Sequence, residues 1–131
     1  MKTVLVIEDN PELSENICES LELEGYRTIS EKNGKNGFFS AKKTKPDIIV
    51  CDIMMPEMNG YDVFGALKKN NETFDIPFIF ITASAEKNEI SKGLNMGADD
   101  YLVKPFENNE LLNSIKRIIS RRILLKLEPL F

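Results

Sequence analysis

The sequence contains no histidine and no tryptophan, only two cysteines, and no hydrophobic run as long as a membrane span. The absence of histidine excludes a Ser-His or Cys-His nucleophile, a histidine-ligated zinc ion and an internal phosphohistidine. Cys18 and Cys51 are scattered, which is more typical of buried thiols than of a disulfide or a metal pair. Because Met1-Lys2 leads directly into a strand pattern, we expect a native N-terminus without a signal peptide, and a cytoplasmic protein.

The composition is that of one acidic domain. The chain has 131 residues, of which 42% are hydrophobic, enough for a single domain with an adequate core. Its net charge of −4 argues against wrapping nucleic acid, which requires a basic surface. We therefore expect no direct nucleic-acid binding by this domain and no contact with a membrane.

Strand and helix patterns alternate along the whole chain. Short apolar runs predict strands at residues 3–7, 26–30, 47–51, 77–81 and 101–103, and helical patterns begin near residues 11, 34, 61, 85 and 107, with Asn10 and Ser84 as candidate N-caps. Because crossovers between parallel strands are right-handed, five such units predict a doubly wound α/β fold. We expect a five-stranded parallel sheet of order 2-1-3-4-5 in a flavodoxin-like three-layer sandwich.

Polar side chains follow four of the predicted strands: Asp9, Asp52, Thr82 and Lys104. The carboxyl ends of parallel strands meet at one crevice, so these groups should converge there. With Glu8, three carboxylates would meet, and two like charges about 4 Å apart repel by roughly 4 kcal/mol at an effective dielectric constant of 20. Such a cluster needs a cation, and oxygen ligands without nitrogen or sulfur indicate Mg²⁺.

This set of groups suits phosphoryl transfer to a carboxylate. Asp52 is the predicted nucleophile, Lys104 a fixed cation for one phosphoryl oxygen, and Thr82 a hydroxyl donor to another. As alternatives, Asp9 only caps the first helix, Asp52 only begins a turn, and Lys104 only forms a structural salt bridge with Asp52. The placement of all these groups at one edge favours phosphoryl transfer over these alternatives. A salt bridge between Lys104 and Asp52 in the resting state is compatible with that function.

The same residues form part of a larger pattern. Glu8-Asp9, the segment DIMMPEMNG at 52–60, Thr82-Ala83, the segment GADDY at 97–101 and Lys104-Pro105-Phe106 together resemble the response-regulator receiver domains of two-component signalling. The resemblance covers about residues 2–122, with a motif after each of strands one, three, four and five. No single motif would suffice, but the ordered set is highly specific.

The resemblance implies a phosphorylation-dependent signalling switch rather than an enzyme. Asp52 would accept the phosphoryl group of a phosphohistidine on a sensor histidine kinase or phosphotransfer protein. Asp9, Asp52 and the Met54 backbone carbonyl would bind Mg²⁺, and Glu8 would act on the metal largely through water. The first acid is Glu8 where aspartate is commoner in the family, so its reach to the metal can differ.

The resemblance also implies how the signal leaves the site. Thr82 and Tyr101 would be a switch pair, read on the face formed by the fourth helix, fifth strand and fifth helix, and a cis peptide bond would precede Pro105. Met54 and Ser84 would flank the path of the hydrolytic water and so set the lifetime of the phosphorylated form. The family's usual short cap of the last helix is replaced by Glu107.

Three other functions fit the residues less well. A haloacid-dehalogenase-type phosphatase needs a second acid two residues after its nucleophile, where this chain has Met54. A flavodoxin-like electron carrier needs a phosphate-binding loop after the first strand, and Glu8-Asp9 would repel a phosphate. A degenerate receiver that serves only for docking would lack Asp52, Thr82 or Lys104.

The C-terminal end continues beyond the resemblance. We divide the chain into a receiver domain at 1–122 and an extension at 123–131 in which ILLKL keeps the helical pattern and Leu130-Phe131 keep the tail apolar. A contiguous apolar patch is seldom left in water. The extension is interpreted as a tail folded back on the domain, a remnant of a cloning tag, a linker to an output domain, or a surface for a homodimer formed on phosphorylation. Whether the receiver stands alone is left open.

Overall fold

A computed structural model describes residues 1–127 of the chain; Leu130 and Phe131 of the predicted apolar tail lie outside the described residues. Strands and helices alternate throughout. The strands are β1 (Thr3–Ile7), β2 (Arg27–Glu31), β3 (Ile48–Asp52), β4 (Phe78–Thr82) and β5 (Asp100–Val103). The helices are α1 (Pro11–Leu23), α2 (Gly34–Thr44), α3 (Gly60–Lys68), α4 (Lys87–Asn95) and α5 (Asn108–Leu127).

The five strands form one parallel sheet of order β2-β1-β3-β4-β5, which confirms the predicted topology. The chain passes from β1 outward to β2, then crosses back over β1 to form β3 on its other side and continues outward through β4 to β5. The carboxyl ends of β1 and β3 therefore flank the switch point of the sheet, where a crevice opens in folds of this kind. Ile7 pairs with Cys51 and Asp52 with Ile81, so the three central strands end at nearly the same level.

Apolar residues cover both faces of the sheet because successive strand side chains point to opposite sides. One face packs against α2, α3 and α4 through a core that includes Leu5, Ile7, Ile49, Phe64, Phe78 and Phe80. The other packs against α1 and α5 through a core that includes Val4, Val6, Ile17, Leu21, Ile79 and Ile115. Cys51 is buried and Cys18 is partly buried, and both are free thiols as predicted.

Asparagine side chains cap the first three helices. The carboxamide oxygens of Asn10, Asn33 and Asn59 accept hydrogen bonds from the backbone N–H groups three residues later, at 3.2, 2.8 and 3.0 Å. Each bond satisfies one of the amide groups that a helix N-terminus leaves without an intrahelical partner. The predicted cap at Asn10 is confirmed, and α1 then runs to Leu23 before Gly25 adopts a positive φ of 93°.

The fourth helix begins differently. The predicted N-cap at Ser84 is wrong, because α4 starts at Lys87 and Glu86 takes the N-cap position with extended backbone angles and no side-chain hydrogen bond. The hydroxyl of Ser84 instead accepts from the Glu86 N–H at 3.4 Å, inside the loop that precedes the helix. The sequence pattern placed the helix start near residue 85 because a serine before polar and apolar residues is an N-cap signature.

The last helix starts one residue after Glu107, which places Glu107 at the N-cap position. The hydrogen bond there runs from the cap backbone to a side chain of the first turn, not from the cap side chain to the helix backbone. The Glu110 carboxylate accepts from the Glu107 N–H at 3.2 Å. This is the half of a capping box in which the third helical residue bonds back to the cap position. Among the described residues, no helix is both long and apolar enough to cross a membrane.

Candidate functional site

The crevice at the carboxyl edge of the sheet collects the predicted polar groups. Asp52 and Thr82 are the last residues of β3 and β4, Glu8 and Asp9 follow β1, and Lys104 follows β5. Carboxylate oxygens of Glu8, Asp9 and Asp52 all lie within 4.8 Å of one another. Glu8 and Asp52 are buried, whereas Asp9 is exposed at the mouth of the site.

Lys104 bridges two of the buried acids. Its ammonium nitrogen lies 2.8 Å from Glu8 Oε1 and 3.3 Å from Asp52 Oδ1. The other Glu8 oxygen accepts from the Asn10 N–H at 3.0 Å, which fixes the carboxylate beside the start of α1. The sequence indicated a pair between Lys104 and Asp52 but not the shorter contact with Glu8. The sequence feature that could have indicated this contact is the glutamate at position 8, because its extra methylene carries the carboxylate farther than that of an aspartate.

One ammonium does not balance three carboxylates. Burial and the charge of Glu8 raise the pKa of Asp52 to about 7, and the nearby Lys104 only partly opposes this. Burial lowers the pKa of Lys104, but its contacts with Glu8 and Asp52 more than offset this and raise that pKa overall. Lys104 therefore stays cationic near neutral pH, while Asp52 is poised between its acid and its carboxylate forms.

The donor set fits a magnesium ion. Mg²⁺ prefers oxygen ligands and is held in proteins by one or two carboxylates together with water and substrate oxygens. Glu8, Asp9 and Asp52 supply carboxylate oxygens at one edge of the sheet. Burial first, and then the charge of Glu8, raise the pKa of Asp52, and a divalent cation at this edge would favour its carboxylate form.

Backbone amides and a hydroxyl complete the rim of the crevice. The Met54 N–H donates to Asp52 Oδ1 at 3.3 Å, and the Met54 side chain is 69% exposed above it. Thr82 is buried, and its hydroxyl oxygen accepts from the Ser84 N–H at 3.3 Å. The peptide bond between Lys104 and Pro105 is cis. Met54 and Ser84 thus each lie two residues beyond the last residue of a strand, β3 and β4 respectively, and each donates its backbone N–H to the side chain of that residue.

Tyr101 lies inside the molecule, next to the loop that follows Thr82. The side chain is 7% exposed, its ring contacts Phe80 at a centroid distance of 6.4 Å, and its hydroxyl donates to the Ser84 carbonyl at 3.3 Å. The ring therefore points inward, and its hydroxyl connects it through Ser84 to the loop that follows β4.

A second tyrosine on the same face was not predicted from the sequence. The Tyr61 hydroxyl donates to the Glu89 carboxylate at 2.7 Å, and the Lys92 ammonium lies 4.3 Å from the centre of the Tyr61 ring. These contacts join the start of α3 to α4. Nothing in the sequence spacing indicated them, because Tyr61 and Glu89 are 28 residues apart in the chain and come together only in the folded structure.

Comparison with known proteins decides the family. A family model described as the response regulator receiver domain matches residues 4–116. The chain belongs to this family. It is 36% identical over 120 residues to the phosphate regulon transcriptional regulatory protein PhoB of Pseudomonas aeruginosa, and 38% identical over 122 residues to the response regulator SaeR of Staphylococcus aureus. Each match covers 92% of this chain and 52% of the relative, so the receiver spans about half the length of these curated relatives.

Solved structures agree with the fold. The receiver domain of the Francisella response regulator 1452 superposes with a TM-score of 0.88 at 31% identity, covering 93% of this chain and 99% of that one. The receiver domain of a signal transduction histidine kinase from Syntrophus aciditrophicus gives a TM-score of 0.84 at 33% identity, covering 92% and 91% of the two chains. The chain is thus a receiver domain of two-component signalling in sequence and in fold.

Proposed function

We propose that this receiver is a switch that accepts a phosphoryl group on Asp52 from the phosphohistidine of a histidine kinase or phosphotransfer protein. The observation that carries the proposal is the convergence of three carboxylates within 4.8 Å, with the Lys104 ammonium 3.3 Å from Asp52 Oδ1. Family membership supports phosphorylation-dependent signalling in general, and the crevice supplies the groups that this chemistry requires.

In the proposed reaction, an Asp52 oxygen attacks phosphorus while the bond from phosphorus to the donor histidine nitrogen breaks, and the imidazole keeps that electron pair. Bound Mg²⁺, held by Asp9, Asp52 and the Met54 carbonyl with Glu8 acting through water, would supply charge that neutralises the phosphoryl oxygens. Lys104 binds one of these oxygens through one of the three N–H donors of its ammonium group. Ionised Asp52 is the reactive form, and both the metal and Lys104 favour it.

The proposed signal then passes from Thr82 to Tyr101. Phosphorylation adds negative charge and three strong acceptors at Asp52, and the Thr82 hydroxyl donates to one of them. The Thr82 hydroxyl now accepts from Ser84, and Tyr101 bonds to the carbonyl of the same residue. Movement of Thr82 therefore alters the loop that holds Tyr101, and through it the face made by α4, β5 and α5. The phosphoryl group shifts an equilibrium between two arrangements of this face.

We propose that Met54 and Ser84 make the phosphorylated form long-lived. Hydrolysis needs a water molecule held in line with phosphorus. Met54 is exposed at the rim and its thioether binds water poorly, whereas Ser84 is short and engaged within its loop. The domain carries out its own phosphorylation and dephosphorylation but acts as a regulator, not as an enzyme on other substrates. We propose that this exchange takes place in the cytoplasm, where ATP-dependent kinases phosphorylate their histidines.

The output is proposed to be a downstream domain or a docked partner. One relative, from Synechocystis, is described as the DNA-binding dual master transcriptional regulator RpaA, and the chain covers 50% of it. We further propose that phosphorylation favours a homodimer, because the end of α5 exposes a cluster of apolar side chains: Ile123, Leu124, Leu125 and Leu127. Sedimentation with Mg²⁺ and beryllofluoride should show twice the monomer mass, and an unchanged monomer with a protease-protected tail would contradict this.

A labelling experiment tests the central proposal. The protein is incubated with acetyl phosphate and Mg²⁺, and the acid-labile phosphoryl group is followed by intact mass. Asp52→Asn should remove all label, whereas Asp75→Asn, an exposed aspartate remote from the crevice, should label like the wild type. EDTA should also abolish labelling. Label that survives Asp52→Asn, or labelling undiminished by EDTA, would overturn the proposal.

A further inference from the structure

Gly93 is the one buried residue of α4, a helix that the structure describes in full. A Cβ atom at this position would lie 2.9 Å from Tyr101 Cδ2 and 3.1 Å from Phe80 Cδ2. Carbon atoms that are not bonded pack at about 3.5–4.0 Å, so a side chain and the inward Tyr101 ring would occupy the same space. A glycine inside a helix is otherwise unfavourable relative to alanine.

We propose that Gly93 is a positioning residue of the switch, because the absence of a side chain there is what admits the Tyr101 ring between α4 and β4. This inference rests on the proposed function, because it takes the position of the Tyr101 ring to be the signal that phosphorylation changes. It adds that α4 itself sets the balance between inward and outward Tyr101. The residue touches neither the phosphoryl group nor the metal ligands.

The surroundings indicate which group would give way if residue 93 carried a methyl group. On one side, Phe80 is fully buried in the core. On the other, α4 is fastened to α3 by the Tyr61 hydroxyl bond to Glu89 and by Lys92 over the Tyr61 ring. Lifting the helix would break these contacts, and moving Phe80 would disturb the core. Tyr101 is joined to the loop after Thr82 by the hydrogen bond from its hydroxyl to the Ser84 carbonyl, so the ring is the group expected to leave.

The test uses Gly93→Ala with Gly65→Ala as its matched control. Gly65 lies in α3 and an added Cβ would meet no atom within 4 Å, so its substitution brings the same change in helix propensity without the contact. Each protein is labelled with 3-fluorotyrosine, and the Tyr101 resonance is assigned by Tyr101→Phe. In Gly93→Ala this resonance should shift and become at least about threefold more sensitive to a soluble paramagnetic agent, whereas Gly65→Ala should match the wild type.

Phosphorylation provides an independent readout. Labelling of Asp52 by acetyl phosphate should change less than about twofold in Gly93→Ala, but the Tyr101 resonance should no longer respond to beryllofluoride with Mg²⁺. If no variant labels at all, the proposed function fails while the exposure of Tyr101 still reports on Gly93. If labelling is normal and Tyr101 in Gly93→Ala remains as protected as in the wild type, the inference is overturned and the proposed function stands.

A double variant separates displacement of Tyr101 from simple loss of folding. In the wild-type background, Gly93→Ala should raise the equilibrium constant for unfolding about tenfold, a typical effect of overpacking. In a Tyr101→Ala background the same substitution should change it less than about threefold, because the ring is gone. If Gly93→Ala does not fold, Gly93→Ala with Tyr101→Ala should restore folding. Equal effects in both backgrounds, or failure of the double variant to fold, would overturn the inference.

Discussion

Helices α1 and α4, on the two sides of the crevice, differ in their N-terminal capping and in the number of side chains they bury. Beside the acids, α1 begins with a side-chain cap at Asn10 and buries Ile17 and Leu21 against the sheet. Beside Tyr101, α4 has no side-chain cap and buries only Gly93. Glu8 and Asp9 thus lie beside a helix with several buried side chains, whereas the proposed reporter Tyr101 lies beside a helix that buries only Gly93 and is held to α3 by the contacts of Tyr61. Elements that move in signalling are drawn from the less stable parts of a fold.

The largest expected contrast is in core truncation on the two helices. Leu21 is 0% exposed on α1 and Leu94 is 44% exposed on α4. Leu21→Ala should lower the free energy of unfolding by about 2–5 kcal/mol, because it removes buried contacts and leaves a cavity. Leu94→Ala should change it by about 0.5 kcal/mol or less. Urea unfolding measures both, and equal losses would show that α4 is as firmly packed as α1.

Next in size is a pH-dependent effect of Asp52 on stability. The folded protein holds the Asp52 proton up to a pH of about 7, against an ordinary value of 3.8 for the unfolded chain. Between these values the folded state binds the extra proton, so this group makes stability fall as pH rises from about 4 to 7. Asp52→Asn cannot ionise and should be more stable than the wild type at pH 8, by about 1–4 kcal/mol.

The measurement is chemical unfolding in EDTA at pH 4 and pH 8. The difference between Asp52→Asn and the wild type should shrink strongly at the lower pH, where the folded carboxyl is protonated and the unfolded one is only about half ionised. Mg²⁺ should stabilise the wild type at pH 8 more than the variant, because it offsets the repulsion among the carboxylates. A variant that is no more stable at pH 8 would contradict the electrostatic account of the site.

Substitutions at the N-caps of α1 and α4 should have smaller effects on stability, of opposite sign. Asn10→Ala removes the carboxamide that accepts an amide of the first turn of α1 and should cost about 1 kcal/mol. Glu86→Asn introduces a good cap where α4 has none and should stabilise the protein by about 0.5–1 kcal/mol. Glu86→Ala is the matched control and should change little. If Glu86→Asn slows amide exchange in α4 no more than this control, poor capping is not what loosens the helix.

The smallest expected effects concern the lifetime of the phosphorylated form. Met54→Asn on the β3 side and Ser84→Glu on the α4 side should each speed loss of the phosphoryl group several-fold, because a polar group can hold water near phosphorus. Leu23→Asn, an exposed position on α1, serves as control. Decay followed by intact mass after removal of acetyl phosphate measures the rates. Unchanged or slower decay in both variants would contradict the assignment of these residues.

Much of the fold was predictable because strong local patterns agree with the tertiary structure. Strands buried on both faces read as nearly continuous apolar runs, and the predicted order of the sheet is the observed one. Asn10 was recognisable as a cap because it directly precedes Pro11 at the first helical position. Ser84 carries the same kind of signal, yet the loop after Thr82 uses its hydroxyl internally and the helix starts later.

The sequence by itself determined the alternation of strands and helices, the residues at the strand ends, and hence the convergence of Asp9, Asp52, Thr82 and Lys104 at one crevice. These follow from local hydrophobic periodicity and from the geometry that all parallel α/β sheets share. Only the tertiary structure decided that Lys104 lies closer to Glu8 than to Asp52, and that Tyr101 fits beside Gly93. Such contacts depend on differences of an ångström or less between side chains far apart in the chain, which no periodicity records.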